Sequence, residues 1–282
     1  MTSKYTNEEV TGWIPESTRG FSNEAHFQDV QDWACLQVNP SRISYFTTYA
    51  QNNFSGPLVY GMGTEHILEA LHRWGRGDAW MDLGAGTSTL FWTCALNSVQ
   101  SITVVDVSPE ALCVLNRVVC SPQVPQCYLD ALAMYGRSDN HVMRFRSVRW
   151  RYLVFDFSRS WPIALKLNRY DLITAFGCFG LAEGPNHFRR SIALASASLA
   201  LGGTIIGANW IRTPDAIRTK GYDTSFLSSE FVASALNECG LELCEVKIKP
   251  IEAEDLYEAI IVWVGRKPIR LLSATYSSAE LP

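Results

Sequence analysis

The chain has 282 residues, of which 47% are hydrophobic and 18% charged, with a formal net charge of −4. That length and balance provide for a sizeable core and exclude a long disordered tract. A mildly acidic chain without a basic stripe is a poor match for nucleic acid, whose phosphates need clustered Lys and Arg.

The one concentration of cations, Arg144, Arg146, Arg149 and Arg151, reads as a solvated helix face or surface loop. The opening residues hold no apolar stretch of the secretory kind. The most apolar run, 192–208, is broken by Gly202 and Gly203, so no membrane span is expected. Eight cysteines are scattered without Cys-x-x-Cys or zinc spacing. They read as buried free thiols of a reducing cytoplasm, with neither metal nor disulfide frame.

The first 75 residues are rich in aromatics, among them Trp33, Tyr45, Phe46, Tyr49, Phe54 and Tyr60. Helical spacing fits 24–36, 41–50 and 64–74, the last ending at Gly75. Such a segment cannot make a core alone. Residues 1–75 are expected as a helical cap packed on 76–282, the whole forming one compact unit.

From residue 79 the pattern alternates. An apolar strand at 79–83 is followed by a glycine-rich turn and a helix at 89–96. A strand at 102–105 ends in Asp106, and Ser108 with Pro109 starts a helix over 109–120. Helix and loop fill 128–147. Strands follow at 152–155 and 171–175, then a helix at 186–200, a strand at 204–210, a helix at 229–239 and strands at 241–249 and 259–265. The alternation predicts an α/β fold with a Rossmann-like, mostly parallel sheet of seven strands covered on both faces. The last two strands have only a short polar connection, so they are expected as antiparallel neighbours.

The segment Asp82-Leu83-Gly84-Ala85-Gly86-Thr87-Ser88-Thr89 is the most informative. Glycines at 84 and 86 let the backbone approach a ligand without a Cβ in the way. The turn lies where a parallel strand ends and a helix begins, the ligand crevice of such sheets. Its N–H groups can hold a carboxylate or phosphate. Asp106, at the end of the next strand, can accept from both hydroxyls of a ribose. A dinucleotide site wants a third glycine where Thr89 stands. Asp82, before the first glycine, instead suits a cofactor bearing an amino-acid cation. A tight turn that binds nothing is the plain alternative.

The residues from Asn39 to Lys267 resemble the nicotinamide, phenylethanolamine and indolethylamine N-methyltransferase family. The likeness rests on Asn39-Pro40 followed by Tyr45 and Tyr49, on Met81-Asp82-Leu83-Gly84-Ala85-Gly86, and on Val105-Asp106-Val107-Ser108. It continues through Leu153-Val154-Phe155-Asp156-Phe157, Ile173-Thr174-Ala175-Phe176-Gly177-Cys178, and the last strand, Tyr257 to Lys267. The resemblance implies a class I methyltransferase fold with an N-terminal helical lid. It implies S-adenosylmethionine as cofactor, S-adenosylhomocysteine as product, and no metal. Tyr45 and Tyr49 would close over the methionine part. Asp82, Gly84, Gly86, Thr87 and Thr89 would form the turn, and Asp106 with Val107 would meet the ribose. Asp156, Phe157, Ala175 and Phe176 would complete the adenosine site. The chain departs from the family at Gly180, where an acidic residue would meet the substrate amine.

Methyl transfer from a sulfonium rests on positioning the two partners and excluding water. An amine needs little base help, whereas an aromatic carbon must lose a proton. Glu183, on a loop near a strand end, is a candidate base or amine partner, or simply a carboxylate at a helix N-terminus. Tyr222, in the polar loop 218–225, is the second catalytic candidate, and Trp210 is a candidate pocket wall. The expected activity is methylation of a small aromatic or heteroaromatic amine, on nitrogen or on an indole carbon in specialised metabolism. The protein is expected to be a cytoplasmic monomer or homodimer, without nucleic-acid or membrane partners. A nicotinamide-dependent oxidoreductase and a non-catalytic adenosine-ligand-binding relative are the alternatives.

Overall fold

A computed structural model describes residues 27–159, 161–162, 165, 170–181, 184–252 and 255–269. Among these residues, eight strands form one sheet: β1 (Gln28–Asp29), β2 (Ala79–Leu83), β3 (Ser101–Asp106), β4 (Arg149–Val154), β5 (Tyr170–Phe176), β6 (Leu199–Arg212), β7 (Glu242–Pro250) and β8 (Tyr257–Arg266). Their order is β1-β4-β3-β2-β5-β6-β8-β7. Strands β2 to β6 pair in parallel. β8 lies antiparallel between β6 and β7, and β1 antiparallel on β4. The central strands are apolar runs because both their faces are covered. Trp80, Ile102, Val104 and Leu172 point to one buried layer, and Met81, Leu83, Val105 and Ile173 to the other.

A surface helix, α1 (Pro40–Phe54), precedes α2 (Thr64–Trp74). None of the 15 residues of α1 is fully buried. Asn39 caps it by accepting Ser41 N–H at 2.9 Å, with Pro40 in its first turn. α2 is different, because it is part of a main helical layer. Ile67, Leu68 and Leu71 are completely buried in the core that holds Ile260 and Val262, which contributes about 2 kcal/mol per side chain. The rest of that layer is α3 (Thr89–Trp92), α4 (Pro109–Cys120), α5 (Gln126–Ala133) and α6 (Asn140–Arg146). The opposite face is covered by α7 (Pro185–Ser198) and, beyond the short α8 (Pro214–Lys220), by α9 (Ser229–Glu238).

The structure corrects several sequence expectations. Among the described residues the sheet has eight strands, not seven, because residues 28–29, expected within a helix over 24–36, pair with β4. Asp29 is fixed there by Arg151 Nη2 at 2.6 Å, and Val30 N–H donates to Tyr152 O at 2.9 Å. A ladder beside an ion pair outweighs a helical spacing of apolar residues. A two-residue strand also carries no period to read. The expected helix 89–96 is one α-helical turn followed by a 3-10 turn over Thr93–Ala95. The arginine cluster is not merely solvated: Arg144 donates to Asn97 O, Arg146 to Gln123 O and Arg151 to Asp29. The eight cysteines are unpaired, but Cys35 and Cys120 are exposed. No helix among the described residues is long and apolar enough to cross a membrane.

Candidate active site

Strand order reverses at β2, which has β3 on one side and β5 on the other. The carboxyl ends of these strands therefore open a crevice. At its floor Gly84 (φ 63°) and Gly86 (φ 50°) turn the chain from β2 toward α3. The two glycines serve different ends. A Cβ at Gly84 would lie 2.4 Å from Cys178 Cβ, so the turn presses against the loop after β5. A Cβ at Gly86 would meet nothing closer than Gly84 O at 4.0 Å, so that side is open to a ligand.

Asp82 sits behind the turn, 2% exposed. Thr174 Oγ1 donates to its Oδ1 at 2.5 Å and Thr89 Oγ1 to its Oδ2 at 2.6 Å, while Trp80 Nε1 donates to Thr174 at 2.8 Å. Burial pushes Asp82 up to about 7, the two hydroxyl donors oppose the rise, and nearby Asp106 adds to it. Thr89 is fully buried, and its hydroxyl is engaged by Asp82. Thr87 Oγ1 is buried and has no hydrogen-bond partner among the described residues.

Asp106, ending β3, accepts Gly86 N–H at 2.9 Å and Ser108 N–H at 2.8 Å. Burial raises its pKa against these backbone donors and that of Val107. Asp156, just after β4, accepts Ser158 N–H at 3.0 Å and pairs with Arg159 Nε at 3.0 Å. Phe157 reaches the turn: its ring carbon lies 3.7 Å from the Gly84 Cβ position. Val107 and Phe176 are half-buried at the strand ends, whereas Ala175 is fully buried beneath them.

α1 reaches from α4 to α3, the helices that follow β3 and β2. At one end Asn39 N–H donates to Glu110 Oε1 at 2.9 Å. At the other Phe54 packs on Phe91 and Trp92, with centroids 5.3 and 6.4 Å apart, and Trp92 packs on Phe176 at 5.0 Å. Tyr45 and Tyr49 stack on one another at 6.4 Å between these anchors. Tyr49 leaves 44% of its surface open. Its partial burial, with the neighbouring Tyr45 and Tyr257, pushes its phenol pKa up.

Beyond Tyr257 an aromatic group continues over the ends of β6 and β8. Tyr257 packs on Trp210 at 6.4 Å, and the buried Arg212 guanidinium lies 5.2 Å from the Tyr222 ring and 5.9 Å from that of Tyr257. Tyr222 is the one non-glycine described residue with positive φ, 59°. Glu183 lies outside the described residues. Gly180 is backed by Asn209, whose Nδ2 is 3.1 Å from the Cβ position of residue 180. Asn209 is fully buried. Its Oδ1 accepts from Trp263 Nε1 at 3.3 Å, and its Nδ2 has no partner among the described residues. An indole nitrogen can only donate, which fixes the amide with its nitrogen toward residue 180.

Sequence reasoning missed Glu110, Asn209, Arg212 and Tyr257. Glu110 carries no signal in the sequence, because its partner Asn39 is 71 positions away. A polar Asn209 at the end of an otherwise apolar strand was a visible signal.

No family model and no curated protein matches the chain. Solved structures do. The chain is similar to magnesium protoporphyrin IX methyltransferase from Synechocystis PCC 6803 with bound S-adenosylhomocysteine, at a TM-score of 0.52 and 9% identity over 79% of this chain and 94% of that one. It is also similar to a chain from the complex of the Haloferax volcanii methyltransferase activator Trm112 with its proposed methyltransferase. That match has a TM-score of 0.50 and 15% identity over 82% of this chain and 100% of that one. These likenesses show a class I methyltransferase fold.

Proposed function

We propose that the protein is an S-adenosylmethionine-dependent methyltransferase acting on a small aromatic or heteroaromatic amine, on nitrogen or on an indole carbon. One observation carries the reading: Asp82, Gly86 and Asp106 converge at the switch point of this sheet, with Asp106 bonded to the turn itself. The residues fit the cofactor. Thr87 Oγ1 is a buried hydroxyl without a partner among the described residues, and Gly86 leaves its side of the turn open. A carboxylate offers about four acceptor positions, so Asp106 retains capacity for ribose hydroxyls beside its backbone donors. Asp82 suits the ammonium end, and Asp156 and Phe157 the adenine. The cofactor supplies a methyl group on a positively charged sulfur.

What the chain does is bind, orient and exclude water. α1 serves as a lid that brings Tyr45 and Tyr49 over the methionine part. Trp210, Tyr222 and Tyr257 offer flat walls for an aromatic acceptor. The resemblance to the nicotinamide, phenylethanolamine and indolethylamine N-methyltransferases supports an amine or indole, while Gly180 argues against copying that family's amine contact. Glu183 is the proposed base or amine partner, and Tyr222 the proposed cover and proton holder.

Thermal shift against S-adenosylhomocysteine and NAD tests the cofactor class. Stabilisation by the first alone is expected, and stabilisation by NAD alone overturns the reading. A methylation screen over tryptamines, phenylethylamines and pyridines, read by mass spectrometry, tests the acceptor. Unaltered turnover in Glu183→Gln would remove Glu183 as base.

A further inference from the structure

Glu110 is buried in the first turn of α4, and both its oxygens are engaged. Oε2 accepts Ser108 Oγ–H at 2.8 Å. Oε1 accepts Asn39 N–H at 2.9 Å, and Arg42 Nη1, from the first turn of α1, lies 4.0 Å from Oε2. Ser108 in turn donates its own N–H to Asp106 Oδ1 at 2.8 Å. Asn39 caps α1 through Ser41 N–H, and its carbonyl accepts Ile43 N–H at 3.0 Å. A continuous series of polar contacts thus runs from the carboxylate at the end of β3 to the start of the helix bearing Tyr45 and Tyr49.

α1 needs such a fixture. None of its residues is fully buried, so apolar packing fixes its N-terminal end weakly, whereas its C-terminal end has Phe54 on Phe91 and Trp92. A carboxylate that accepts a backbone N–H while out of water makes a strong, directional contact. Leaving Asn39 N–H without it would free that end of the helix.

We propose that Glu110 is a positioning residue that ties the N-terminal end of α1 to Asp106, so that occupancy of the ribose site is transmitted to Tyr45 and Tyr49. The inference rests on the cofactor reading above. Coupling of this kind is reciprocal: a ligand that orders the end of β3 also orders α1, and loosening α1 weakens the ligand.

Hydrogen exchange on the full chain, with and without S-adenosylhomocysteine, tests it. In the wild type the ligand is expected to slow exchange at residues 84–89 and 41–54 alike. In Glu110→Ala slowing persists at 84–89, but at 41–54 it falls from about tenfold to under about twofold, and the ligand binds about tenfold more weakly. Glu110→Gln keeps an acceptor for Asn39 N–H and is expected to show intermediate slowing, which provides a readout if the alanine variant does not fold. A merely structural role lowers the melting temperature but leaves the ligand-dependent slowing of α1 intact. Unchanged slowing at 41–54 in a folded variant overturns the inference alone. Absence of any slowing at 84–89 in the wild type overturns the cofactor reading and the inference with it.

Discussion

Asp106 on β3 accepts the N–H of Gly86, in the turn after β2, at 2.9 Å. The carboxylate at one strand end therefore shapes the glycine turn of its neighbour, and turn and acid form one device. Asp106→Ala should weaken S-adenosylhomocysteine binding by about 10- to 100-fold, the scale of one or two hydrogen bonds to a charged group. It should also lower the melting temperature, because Gly86 and Ser108 lose their acceptor. Asp106→Asn keeps an oxygen and should lose less on both counts. Calorimetry and thermal melting measure the two effects, and unchanged affinity in the alanine variant removes Asp106 from the site.

Gly84 and Cys178 make the second prediction. A methyl group at 84 would stand 2.4 Å from Cys178 Cβ and 2.9 Å from its Sγ, on a backbone with φ of 63°. Overpacking of this kind costs about 1–3 kcal/mol, and the left-handed backbone about 1 kcal/mol more. Gly84→Ala should therefore unfold several degrees lower. Adding Cys178→Gly removes the clash but not the backbone cost, so the double variant should recover part of the loss. Denaturant unfolding of the three variants checks this; strict additivity would mean that the two residues do not touch.

Asp82 gives the fold a pH dependence with a defined sign. Its folded-state pKa, about 7, lies above the ordinary 3.8. The folded state then holds more protons than the unfolded one between those values. The stabilisation is fully present below pH 4 or so and is lost as pH rises through about 7. Asp82→Asn should flatten this part of the melting profile. A bound ammonium would draw the carboxyl to its charged form, so binding should release a proton. Affinity for S-adenosylhomocysteine should then strengthen by up to about tenfold per pH unit between pH 5 and 7. A flat affinity profile across that range would mean that Asp82 does not sense the ligand.

The parallel sheet was legible because each of its central strands is an apolar run followed by a helix start, as with Val105-Asp106 and Ser108-Pro109. The turn was legible because Gly84 and Gly86 interrupt such a run at its carboxyl end. β1 was not, since two residues have no period and are held by Arg151, far along the chain. The roles within the site were less legible than its membership. Thr89 is spaced like a ligand contact, yet its hydroxyl is used by Asp82, a geometry that depends on Thr174 from another strand. The contact of Glu110 with Asn39, and those of Asn209 with Trp263, Arg212 with Tyr222 and Tyr257 with Trp210, are made across elements, where sequence spacing carries no information.

Tyr222 combines a strained backbone with a ring stacked 5.2 Å from the Arg212 guanidinium. An aromatic residue in the left-handed region costs about 1–2 kcal/mol, and a partly desolvated cation–π contact contributes about 0.5–2 kcal/mol. Tyr222→Gly relieves the first and loses the second, so stability should move by less than about 1 kcal/mol in either direction. Catalysis should not share this cancellation. If the ring walls the acceptor site, KM for the aromatic acceptor should rise by at least about tenfold, an effect on binding rather than on folding. Tyr222→Phe keeps ring and backbone, so a fall in kcat with KM unchanged would assign a separate part to the hydroxyl. A glycine variant that melts much lower while its kinetics stay as in the wild type would make Tyr222 a packing partner of Arg212 alone.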